Sequence, residues 1–152
     1  MDAARMRTAA SALKEMTTVS ERLPAGRSLY LEIGGEDVIR RLVETFYDIV
    51  EQDEDAASLH VLHLRGHGVA HSREEQFNYL CGFFGGPSYY VQKHGHSRLK
   101  EIHEHVEIGP ELRDLWLNCM QRAMEKIGLP DRHKALVMRH FNIAAEATRN
   151  RD

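Results

Sequence analysis

The chain has 152 residues, a net charge of −3 with histidine neutral, and two cysteines. Such a length suits one compact domain with its own core, and the scattered positive charges exclude a nucleic-acid binder or an anionic membrane as the main partner. Cys81 and Cys119 are too few for a disulfide framework or a zinc cluster, and no run approaches the roughly 20 apolar residues of a membrane span.

Residues 1–27 read as a polar, alanine-rich N-terminal extension with a weak helical stripe (Met6, Ala9, Leu13, Met16) that ends at Pro24-Ala25-Gly26. Lys14 and Glu15 interrupt it before a signal-type apolar run can form, which leaves a cytoplasmic protein as the expectation. After Gly34-Gly35, the residues Val38, Ile39, Leu42, Val43, Phe46, Tyr47 and Val50 recur at spacings of three and four and predict a strongly amphipathic helix. A glycine-broken, histidine-bearing stretch runs from His60 to His71. Ser72 and Glu75 then read as a capping box opening a helix with Gln76, Phe77, Leu80, Phe83 and Phe84 on one face. It stops at Gly85-Gly86-Pro87, two residues free to take positive φ before one that cannot continue a helix.

Residues 88–95 read as a loop, and a short helix over about 96–105 holds His103. The next helix opens with Pro110 and carries Leu112, Leu115, Trp116, Cys119, Met120, Ala123, Met124 and Ile127, closing at Gly128. A last helix covers about 130–149. No alternating pattern of useful length is present, so the class is all-α.

Three polar side chains interrupt these apolar stripes: Tyr47, Gln76 and Trp116. Each costs roughly 1–3 kcal/mol if buried without a partner. A backbone carbonyl is the ordinary partner for a Tyr or a Trp; glutamine in mid-face is harder to satisfy, because both ends of its amide need company. Three donors on three helices could converge on an internal cavity. The ten histidines admit a zinc reading, but no His-Glu-x-x-His is present and Gly66 and Gly68 break the stripe of the first group. His94, His133 and His140 read as solvated or hydrogen-bonded surface residues.

The order of landmarks resembles the group II truncated haemoglobins from about Leu29 to near the C-terminus. The likeness is carried by Leu29-Tyr30-Leu31-Glu32-Ile33-Gly34-Gly35, Phe46-Tyr47, Gly85-Gly86-Pro87, the run from Gly95-His96-Ser97-Arg98-Leu99 to His103, and Arg113-Asp114-Leu115-Trp116-Leu117-Asn118-Cys119-Met120. The resemblance implies a two-over-two helical sandwich over 28–152 around one haem b, with His103 as the axial iron ligand. It implies a ligand side formed by Tyr47, Gln76, Trp116 and His63, for which His60 and His67 are rivals, with Ser72 at the mouth and Tyr79 on the far wall. Implied cofactor contacts are Phe46, Phe77, Leu80 and Leu99, with Tyr90, His96, Arg98 and Lys100 toward the propionates. Ser97, Lys100 and Glu75 depart from the family pattern, and Glu75 replaces a basic residue that reaches a propionate.

The function so implied is reversible binding of dioxygen, NO, CO or peroxide at a five-coordinate iron. Use in redox or detoxification chemistry with a reductase would make the protein peroxidase-like or NO-dioxygenase-like. An oxygen carrier or a gas sensor docking through residues 1–27 is the alternative, and a non-haem, histidine-rich metal binder is a remote one. His71 swinging onto the iron would give a six-coordinate resting state. A monomer or weak homodimer is expected.

Overall fold

The computed structural model describes residues 28–152; the N-terminal extension expected over 1–27 lies outside the described residues. The described elements are α1 (Leu29–Ile33), α2 (Glu36–Gln52), a 3-10 turn (Glu54–Ala56), α3 (Ala57–Arg65), α4 (Val69–Phe83), α5 (Tyr89–His94), α6 (Leu99–His103), α7 (Pro110–Lys126) and α8 (Asp131–Thr148). No strand occurs among the described residues. Helix α2 packs on both α4 and α7, and α7 packs on α8, so the pair α2/α4 stacks over the pair α7/α8. This is the two-over-two sandwich.

Burial follows the apolar period. Ile39, Leu42, Val43, Phe46 and Val50 of α2 are fully buried, as are Cys119, Met120, Ala123 and Met124 of α7 and Val137 of α8. Each large aliphatic or aromatic side chain so buried stabilises the fold by roughly 1.5–3 kcal/mol. Aromatic rings bridge the layers: Phe46 meets Tyr47 at 4.9 Å and Trp116 at 5.4 Å, and Phe141 meets Trp116 edge-on at 5.1 Å.

The first short helix is fixed at both ends. Ser28 accepts from Leu31 N–H at 3.3 Å, and Gly34 ends the helix at φ 124°, where a Cβ would stand 2.3 Å from Val38 Cγ2. Tyr30 N–H donates to Phe84 O at 2.8 Å, which brings the Tyr30 ring over the glycine pair. Only Gly85 of that pair takes positive φ. Gly86 is needed for proximity instead, because a Cβ there would lie 2.6 Å from the Tyr30 ring.

Several local expectations are corrected. Helix α4 begins at Val69 after Gly68 with no side-chain cap, so Ser72 sits inside its first turn and the Ser72–Glu75 capping box does not form. The stretch before it is helical over Ala57–Arg65, and residues 89–94, expected as loop, form α5. Both escape a periodicity search because α3 buries only Leu59 and α5 buries nothing. His140 is buried, stacked edge-on near Phe83 and Phe84, with Nδ1–H donating to Leu136 O at 2.9 Å.

Candidate functional site

Between the two layers and α6 lies a cleft of about 1140 Å³. Tyr47 reaches it from α2, His63 from α3, Ser72, Gln76, Tyr79 and Leu80 from α4, and Trp116 from α7. Tyr90 and His96 stand on its rim, and Leu99 and His103 of α6 form another wall. The structure thus gathers eleven expected site residues around one space. Four others lie off it. Phe46 is sealed in the core between Tyr47 and Trp116, Phe77 packs beneath Arg40, whose guanidinium is 3.6 Å from the ring centroid, Arg98 pairs outward with Glu101, and Lys100 faces a separate surface hollow beside Arg149 and Arg151.

One wall is a hydrogen-bonded set of donors. The Tyr47 hydroxyl donates to Gln76 Oε1 at 2.8 Å and lies 3.5 Å from His63 Nε2. His63 Nδ1–H donates to Leu59 O at 2.7 Å, which fixes the tautomer and leaves Nε2 bare. Burial raises the Tyr47 phenol well above its usual range, against the opposing pull of Arg73 and Ser72, so it stays a neutral donor. Gln76 Nε2 is buried without any hydrogen-bond partner among the described residues. Tyr47 therefore holds the carbonyl end of an amide whose residue lines the cleft and whose nitrogen has no partner among the described residues. An orphaned amide of this kind costs about 1–3 kcal/mol until something accepts from it.

The register of this wall is set by charge. Arg73, on α4, donates to three carboxylates on one face of α2: Glu44 at 2.6 Å, Asp48 at 2.9 Å and Glu51 at 2.6 Å. Burial opposes its charge, but those bonds outweigh it and raise the Arg73 pKa. The guanidinium sits 5.8 Å from the Tyr47 ring centroid.

On α6, His103 Nδ1–H donates to Leu99 O at 2.9 Å, so Nε2 carries the free lone pair. Burial holds the His103 imidazole below its usual range; the Leu99 carbonyl opposes this, and the charges of His105 and His63 add to it. His63 is lowered by burial as well. Both imidazoles are thereby kept neutral, the state a metal requires of its ligand. His67 and His71 lie at the mouth with ring centroids 4.8 Å apart, while His60 is not on the cleft.

Glu75, expected in a capping box, and Tyr79, expected on the far wall, complete the rim, with Leu112 and Phe141 not foreseen there. Glu75 accepts from Lys93 Nζ and His94 Nε2, both at 2.5 Å, tying α4 to α5. Burial pushes its carboxyl up, but the two hydrogen bonds win and leave it below the usual range. Tyr79 donates to Ser97 O at 3.3 Å, and burial, with Tyr90 adding, pushes its phenol up to about 12. Leu112 and Phe141 supply apolar floor. Among the described residues no group of three or more His, Cys, Asp or Glu is placed to hold a metal ion by itself.

Comparison with known proteins adds a family. The sequence model of the bacterial-like globins matches residues 28–150. Group 2 truncated hemoglobin YjbI of Bacillus subtilis is 33% identical over 95 residues, which span 62% of this chain and 68% of that protein. Among solved structures, a group II 2-on-2 hemoglobin from Agrobacterium tumefaciens is 31% identical, with a TM-score of 0.78 over 85% of this chain and 98% of the other. A hemoglobin from the thermophilic bacterium Chloroflexus aurantiacus is 35% identical, with a TM-score of 0.71 over 82% of this chain and 99% of its own.

Proposed function

Since the chain belongs to the bacterial-like globin family and is thus a haem-based gas-binding protein, we propose that it holds haem b on His103 and retains dioxygen tightly for redox chemistry on oxygen, NO or peroxide. The observation that carries this reading is that Gln76, with its buried and unpartnered amide nitrogen, and His103, with its bare Nε2, line the same cleft.

The residues fit the group. A neutral imidazole whose other nitrogen is bonded to a backbone carbonyl is the usual proximal anchor, and a cleft of about 1140 Å³ with apolar floor and polar rim is large enough for a porphyrin. When bound, the ferrous porphyrin supplies reversible binding of a diatomic gas. His103 Nε2 would hold it; Tyr90 and His96 at the rim would meet its carboxylates. Gln76 Nε2–H, unpartnered among the described residues, and the indole N–H of Trp116 would be the donors to a bound gas. Tyr47 orients the Gln76 amide, and His63 Nε2 can accept a hydrogen bond from the Tyr47 hydroxyl if the phenol turns toward it. Prealigned donors in a water-poor site slow release of the guest.

Tyr47→Phe frees the Gln76 carbonyl end and removes one donor. Loss of about 1.5–3 kcal/mol of charge-assisted bonding corresponds to a roughly 10- to 100-fold faster oxygen off-rate by stopped flow. An unchanged off-rate would contradict the retention reading.

A further inference from the structure

Helix α6 carries His103, has no fully buried residue and packs on one long helix, α8. The His103 Nδ1–H bond to Leu99 O keeps the imidazole moving with the helix, so the stance of Nε2 depends on what holds the helix ends. At the front, the Tyr79 hydroxyl donates to Ser97 O. At the back, the loop after His103 passes through Val106 and Ile108, both on the cleft, before α7 begins at Pro110.

That loop is gripped by one side chain from the far end of the chain. Asn150 Oδ1 accepts from Ile108 N–H at 2.8 Å and Asn150 Nδ2 donates to Val106 O at 2.7 Å. The main-chain N–H groups of Asn150 and Arg151 donate to Ile108 O at 2.9 and 3.0 Å. The side-chain amide so pairs with two backbone groups at once, as a neighbouring strand would. These bonds are not needed to finish α8, because Arg149 N–H already closes it on Ala145 O and Glu146 O.

Resting on the proposed haem function, we infer that Asn150 is a positioning residue for the axial histidine: its amide clamps the Val106–Ile108 backbone and fixes the angle at which α6 presents His103 Nε2. Tyr79 and Asn150 are then the two ends of one suspension. Alanine at position 150 removes both side-chain bonds, whereas aspartate keeps the acceptor and loses the donor.

The test uses the full haem-loaded chain and compares wild type, Asn150→Ala and Asn150→Asp. Resonance Raman of the ferrous unligated form reads the iron–imidazole stretch, and amide hydrogen exchange reads residues 99–108. The inference expects a shifted or broadened stretch in Asn150→Ala, an intermediate effect in Asn150→Asp, and exchange about tenfold or more faster from Leu99 through Ile108. A wild-type stretch in both variants, with faster exchange confined to Ile108, overturns it. If the wild type itself takes up no hemin, the haem reading falls separately, and exchange decides the clamp alone: acceleration reaching Leu99–His103 supports it, and acceleration limited to Ile108 overturns it.

Discussion

Two walls of one cleft are built in different ways. Tyr47, Gln76 and Trp116 project from α2, α4 and α7, helices that bury whole apolar faces against each other. His103 projects from α6, which like α5 has no fully buried residue; α5 leans on α4 and α6 on α8, and polar ties at Ser97, Val106 and Ile108 hold the ends of α6. The donor wall rests on fully buried faces; the histidine wall rests on lighter packing and on those ties, and gains further packing from whatever fills the cleft. Local stability tracks buried apolar contact, so the two walls should differ in energy, in exchange and in response to the cofactor.

The largest expected contrast is mutational. Phe46→Ala removes a fully buried ring shared by Tyr47 and Trp116 and should cost about 3–5 kcal/mol by denaturant unfolding. Leu99→Ala in the cofactor-free chain should cost under about 1 kcal/mol; equal losses would break the comparison. Loading with hemin is next. At a free concentration near 100 times its dissociation constant it should add about 2.7 kcal/mol, with new exchange protection concentrated over residues 89–108. Protection spread evenly over α2 and α7 would show that the walls do not differ.

The smallest effect concerns the Glu75 tie between α4 and α5. Its carboxyl is held below the usual range, so the pairing contributes fully above the unfolded carboxylate pKa of about 4.3 and is lost as pH falls through the lower folded value. With Lys93 largely in solvent, the expected contribution is under about 1 kcal/mol. Glu75→Gln should flatten that acid limb of stability, read as Tm against pH between about 6 and 3; an unaltered limb would assign it elsewhere.

What could be read from the residues divides along the same line. The helices of the donor wall, α2, α4 and α7, announce themselves through an apolar period because burial on one face is what makes them stable. The same period exposed Tyr47, Gln76 and Trp116 as polar intruders, and all three border the cleft. The histidine wall has no such signal: α5 and α6 have no fully buried side chain, and position 103 stood out only through the likeness of its flanking run. Ser72 and Glu75 had the spacing of a cap, yet the turn at Gly68 starts the helix earlier and gives Glu75 to Lys93 and His94. Asn150 bonds a loop more than 40 residues away, a separation that no local pattern encodes.

The most direct measurement is the visible spectrum of hemin-titrated wild type beside His103→Gly, oxidised, reduced and with carbon monoxide. Wild type should show a Soret band with an imidazole-ligated ferrous form; the glycine variant should lose that ligation and regain it when free imidazole is added. A wild-type chain that stays colourless with hemin, or a glycine variant whose ligation matches wild type without imidazole, would contradict the account.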